Sequence, residues 1–129
     1  GMQGKGMYGG TKVEELLPVT CMPRGADDRM EITEGYAMQL DDPNHPIVKD
    51  IDWSVPYMLM GYNKVYLRED AHLVASYNGD VQIATRQVGK GRSCVYTSDV
   101  GPHWAGNFLE HPEYAHFWQQ ITRWVAGAI

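Results

Sequence analysis

The sequence predicts an α/β fold, a mixed sheet whose legible part is an antiparallel meander, closed by a C-terminal amphipathic helix. Three observations carry this. Residues 73–98 alternate in character around two tight turns, Asn78-Gly79 and Gly89-Lys90-Gly91-Arg92. Asn-Gly supplies the positive φ angles that a two-residue hairpin needs. Tyr114, Phe117, Trp118, Ile121, Trp124, Val125 and Ala128 then recur at helical period on one stripe.

The elements follow in order. The start of the chain is a Gly-rich loop, with Gly1, Gly4, Gly6, Gly9 and Gly10, and calls for unusual backbone angles or close backbone approach. Thr11 caps a short helix through Val13–Leu17, whose Glu14 and Glu15 suit a helix N-terminus. Pro18 ends it, and Val19–Met22 reads as a short strand. Met30–Thr33 and Tyr36–Leu40 are further short strands, and the Asp, Asn and Pro content of Asp41–Pro46 makes a turn. Ile47–Ile51 is expected to form one helical turn, with Trp53 plugging the core. Tyr57–Leu67 is one strand with a bulge at Gly61. Leu73–Tyr77, Val81–Val88 and Ser93–Ser98 are the meander. In its middle strand Val81, Ile83, Thr85 and Gln87 form the more apolar side, so one face is expected to be buried. Pro112 and Glu113 open the closing helix.

A chain of 129 residues fits one domain with a modest core. Its net charge of -5 argues against nucleic acid and anionic membranes as partners, because phosphate binding needs a basic patch. No apolar run is long enough to span a bilayer, and residues 1–11 lack the apolar segment of a signal peptide. Two cysteines, Cys21 and Cys94, are too few for a disulfide framework and read as reduced, packed thiols in a cytoplasmic protein.

The order of motifs is more specific than any one of them. A Gly-rich loop leads into Thr11-Lys12-Val13-Glu14-Glu15-Leu16-Leu17-Pro18-Val19-Thr20. After a β-rich middle come Gly89-Lys90-Gly91-Arg92, Thr97-Ser98-Asp99, Pro102-His103-Trp104 and the aromatic helix. This run resembles the glutamine amidotransferase-like family of bacterial cytoplasmic proteins across nearly the whole chain. The resemblance implies a partial flavodoxin-like domain with a mixed sheet. It implies that residues 1–129 are the C-terminal portion, with further βα units supplying the parallel strands. Their absence would leave an open edge and an uncovered apolar face, so a homo-oligomer is expected; a light-scattering mass of one chain at micromolar concentration would count against it.

Class I glutamine amidotransferases use a Cys nucleophile on a strand-to-helix elbow with a His and a Glu. Neither Cys21, flanked by Val19-Thr20 and Met22-Pro23, nor Cys94, inside a strand, sits on such an elbow. His103 follows the end of strand Ser93–Ser98, where α/β sheets place their ligands. Asp99, four residues earlier, either orients His103 or caps a turn. His111-Pro112-Glu113 spells the His-Pro-Glu of those enzymes, although Pro at a helix start explains it equally. The catalytic candidates are thus His103 and Asp99, then His111 and Glu113, around a small-molecule pocket. No cofactor motif or metal set is expected. Gly1–Gly10 lacks the Gly-Lys-Ser/Thr of a phosphate loop, and Gly89-Lys90-Gly91 lacks the following helix of a dinucleotide fingerprint. Glu113 and His116 can share a helix face, but one such pair holds no metal. The alternative function is a binding or oligomerisation module that keeps the fold without the Cys-His-Glu chemistry. A carbohydrate-binding module rests only on the four Trp and eight Tyr, several of which the helix stripe already uses.

Overall fold

The structure is a computed structural model that describes residues 7–129. Gly1, Gly4 and Gly6 of the Gly-rich start lie outside the described residues. Helix α1 (Lys12–Leu16) is followed by strands β1 (Val19–Cys21), β2 (Arg29–Tyr36), β3 (Gln39–Leu40), β4 (Leu59–Asn63) and β5 (Val65–Leu67). The meander comes next as β6 (His72–Tyr77), β7 (Asp80–Val88) and β8 (Gly91–Tyr96). Helix α2 (Pro102–Ala105), a 3-10 helix (Gly106–Glu110) and α3 (Tyr114–Val125) complete the chain.

Among the described residues the strands form a four-stranded sheet in the order β3-β6-β7-β8 and two two-stranded sheets, β1-β5 and β2-β4. Each pairing is antiparallel. The fold is therefore α and β with antiparallel sheets and a C-terminal helix. The meander lies where its turns place it. Asn78 (φ 48°) and Gly79 (φ 81°) make the first turn, and Gly89 (φ 58°) opens the second.

Several elements depart from the sequence reading. The segment expected as the single strand Tyr57–Leu67 splits at Lys64. Its first half pairs with β2 and its second with β1. The break is made by the Lys64 N–H, which donates to the Asp28 carbonyl at 2.7 Å, and by the Asn63 N–H, which donates to Thr97 at 2.9 Å. The β2–β4 register shifts between the Glu31–Gly61 and Tyr36–Leu59 pairs, so an irregularity does begin at Gly61, with the extra residues on β2. The Trp104 indole also lies against the strand there, and a Cβ would meet the indole nitrogen at 2.5 Å. The two strands expected within 30–40 are one long strand up to Tyr36, bent where Gly35 takes φ 76°, plus the short β3. The helical turn expected at 47–51 starts earlier: the Val48 and Lys49 N–H groups both donate to the His45 carbonyl, at 2.9 and 3.0 Å, and the turns that follow do not extend into a helix.

Strand β7 is buried on both faces over Val81–Thr85, not on one. Ile83 joins a large aromatic core with Tyr36, Tyr57, Tyr62, Phe108 and Phe117. Val81 and Ala84 join a small aliphatic cluster with Val19 and Val65. Helix α3 packs as its stripe requires: Phe117 is fully buried, and Tyr114, Trp118, Ile121 and Trp124 lie against the core. The stripe ends earlier than its period suggests. Val125 is 40% exposed and Ala128 faces solvent, whereas Gln120, off the stripe, is buried. Trp53 plugs the core beside Phe108 and Phe117 and donates from Nε1 to the Val48 carbonyl at 2.9 Å.

Candidate functional site

Beyond the C-terminal end of β8 the chain runs through Thr97, Ser98 and Asp99 into α2. Here it forms one wall of a cavity of about 620 Å³. Tyr8 and Gly9 of the Gly-rich loop, Cys21 of β1 and the turn around Arg24 line it as well. Local chemistry sets the floor. Thr97 Oγ1 donates to the Val81 carbonyl at 2.9 Å and Ser98 Oγ to the Gly61 carbonyl at 2.7 Å, tying this strand end to β7 and β4. Asn63 Nδ2 donates to the buried Asp28 carboxylate at 3.0 Å.

His103 and Asp99 both line this cavity. His103 is exposed and stacks on Trp104, with ring centroids 5.7 Å apart. Asp99 makes the turn cap, one of the two roles expected of it: its Oδ1 accepts the Gly101 N–H at 2.9 Å, which fixes the Asp99–Gly101 corner before α2. His111 and Glu113 are elsewhere. His111 is buried among the rings of Trp53, Tyr57 and Phe108, and its Nδ1 accepts the Glu113 N–H at 3.1 Å. The Glu113 carboxylate turns away to His116 Nδ1 at 3.0 Å. The His-Pro-Glu triplet therefore builds the entry to α3, and none of its three residues lines the cavity that His103 lines.

The thiols are poorly disposed to attack. Burial pushes Cys94 up to about 12. Burial, then the hydrogen bond and charge of Glu14, raise Cys21. A nucleophilic cysteine needs the opposite environment, cationic neighbours or a helix N-terminus. Cys21 does line the cavity, which its sequence context did not signal. So does Arg24, missed because a lone Arg in a polar loop carries no pattern. Among the described residues no group of three His, Cys, Asp or Glu side chains converges as a metal ion would require. None of the described helices is long and apolar enough to cross a membrane.

The cavity lies beyond a strand end, where the loops of α/β scaffolds carry their polar groups. The family can be named: residues 1–127 match the family described as "Putative glutamine amidotransferase", and the chain belongs to it. Two solved structures are similar. Cytoplasmic Protein STM3548 from Salmonella typhimurium is 30% identical with a TM-score of 0.82, over 92% of this chain and 47% of that one. Cytoplasmic Protein STM1381 from Salmonella typhimurium LT2 is 32% identical with a TM-score of 0.86, over 97% of this chain and 50% of that one. The chain thus spans about half the length of these relatives. No curated protein matches it.

Proposed function

We propose that this chain supplies the ligand-binding wall of a cytoplasmic, glutamine amidotransferase-like domain, with a small polar molecule held beyond the end of β8. The observation that carries the reading is the cavity itself: about 620 Å³, the size of small-molecule sites, lined by His103, Asp99 and Arg24 among others. The chain's contribution is binding rather than nucleophilic chemistry, because burial raises both thiols and Glu14 raises Cys21 further, which disfavours the thiolate. A catalytic amidotransferase cycle would need a thiolate from elsewhere. The two relatives are about twice this chain's length, and the proposed whole is flavodoxin-like, with further polypeptide contributing parallel strands. Strand pairing in a structure of the longer polypeptide tests that part.

The function is tested by titrating L-glutamine while following the His103 imidazole by NMR and assaying ammonia in parallel. The expected result is a saturable His103 shift with no ammonia released. His103→Ala should weaken binding about tenfold, near 1.4 kcal/mol, and leave the melting temperature unchanged. Ammonia release that Cys21→Ser abolishes would establish the enzyme instead. Glutamine binding that leaves His103 unshifted would move the site.

A further inference from the structure

Two histidines directly precede a proline, His45 and His111, and both are buried, at 8% and 5% exposure. They use one local device. The proline has no N–H, so the next donor is two residues past the histidine. His45 Nδ1 accepts the Ile47 N–H at 3.2 Å, as His111 Nδ1 accepts the Glu113 N–H at 3.1 Å. An imidazole accepting at Nδ1 is neutral, with its proton on Nε2. Protonating Nδ1 destroys the bond and strands a buried N–H, since Ile47 is fully buried.

Their surroundings differ. His111 sits among aromatic rings. His45 sits among charges that hold the end of α3. The His72 ring from β6 stacks on it at 5.6 Å, and His72 Nε2 lies 2.8 Å from Asp42 Oδ2. The Trp124 ring of α3 is 5.3 Å away on another side. Arg92 of β8 stands 5.0 Å from the Trp124 ring and donates through Nη1 to the carbonyls of Trp124 and Ile129. At the rim of the shallow pocket that His45, His72 and Trp124 share lie Glu69 and the Arg86–Asp70 ion pair.

We propose that His45 is a proton-operated catch: protonation at Nδ1 expels the Ile47 N–H, and the new cation beside His72 and Arg92 releases residues 45–51 and the end of α3 from the sheet. Burial first, then the charge of His72 and of Arg92, hold the His45 imidazolium below its ordinary 6.5, with Asp42 acting the other way. A histidine depressed in the folded state binds its proton more readily once the segment opens. The closed state is thus fully favoured above pH 6.5 and loses stability as pH falls from 6.5 toward the lowered value. Asp42 stays ionised through this window, because the hydrogen bond from His72 lowers its carboxyl further.

The test is amide hydrogen exchange at Ile47 and Val48 between pH 7.5 and 5.5, corrected for the intrinsic rate. The open population should grow by up to about tenfold per pH unit below 6.5, the limit for one linked proton. His45→Asn keeps a side-chain acceptor for the Ile47 N–H without a titrating ring, and should flatten this dependence. His72→Gln should shrink it by removing the neighbouring charge. A wild-type slope in His45→Asn, or exchange in the wild type that does not change with pH, overturns the proposal. Should His45→Asn fail to fold, direct NMR titration of His45 decides: a folded pKa at or above 6.5 refutes the catch.

Discussion

The two faces of the four-stranded sheet are held by different physics. On the α3 face, Phe117, Phe108, Tyr57 and Trp53 interlock edge to face and stacked, with centroids 5.0 to 6.1 Å apart. Such rings contribute through buried area and through their quadrupoles. On the opposite side the apolar cluster is small: Val19, Val65, Val81 and Ala84. There α1 buries no residue at all, and its Val13 and Leu16 are exposed. Polar clasps hold it instead. Arg68 donates to the Leu17 and Glu14 carbonyls at 3.0 and 2.9 Å, and Arg86 Nη1 to the Glu15 carbonyl at 2.8 Å. These two guanidiniums satisfy the carbonyls that a helix leaves open at its C-terminus. Glu14 completes the attachment by accepting the Cys21 N–H at 2.8 Å. The lesson is that one face is rigid through packing, while the side lining the cavity is fastened by a few directional bonds. A wall fastened this way can open locally without disturbing the core.

That contrast can be broken in graded steps. Phe117→Ala removes a fully buried ring from the aromatic face and should cost about 3–5 kcal/mol, read as a lower denaturation midpoint with near-UV circular dichroism reduced. Gly61→Ala drives a methyl into the Trp104 indole and should cost about 1–3 kcal/mol. Because Trp104 carries the stacked His103, the same variant should also weaken any ligand in the cavity. Glu14→Gln touches only the polar clasp and should cost about 1 kcal/mol. The Cys21 N–H bond above all holds the Glu14 carboxyl below its ordinary 4.5. Its contribution is complete above pH 4.5 and fades as pH falls through the lowered folded value. The variant's stability deficit should therefore narrow below pH 4.5 in acid melts. A deficit equal at pH 7 and pH 3.5 would show that the carboxylate charge is not what fastens α1.

The site was half legible. His103 and Asp99 could be placed at a strand end because β8 and its turns are local, and both do line the cavity. The roles within it were not legible. Whether Asp99 faces His103 or caps Gly101 depends on one side-chain torsion that no spacing fixes. The rest of the lining, with Cys21 and Arg24, comes from residues some 75 positions earlier, roughly the chain from Arg24 to Asp99. No periodicity links segments so far apart. The His-Pro-Glu triplet shows the converse: a motif can be spelled in full and still serve a turn, because proline at a helix start and an imidazole accepting at i+2 need only local geometry.

By itself the sequence determined what short-range chemistry controls. It set the Thr11 cap of α1, whose Oγ1 accepts the Glu14 N–H at 3.4 Å, the Asn78-Gly79 hairpin, the three strands of the meander and the aromatic stripe of α3. Only the tertiary structure decided that β7 is covered on both faces, that Tyr57–Leu67 divides between two partners, and that Gln82 and Gln120 are buried while Val125 is not. The reason is that burial depends on what arrives from elsewhere in the chain. Gln82 is sequestered because Tyr36, 46 residues away, donates its hydroxyl to Oε1 at 2.7 Å, and no pattern within β7 records that partner.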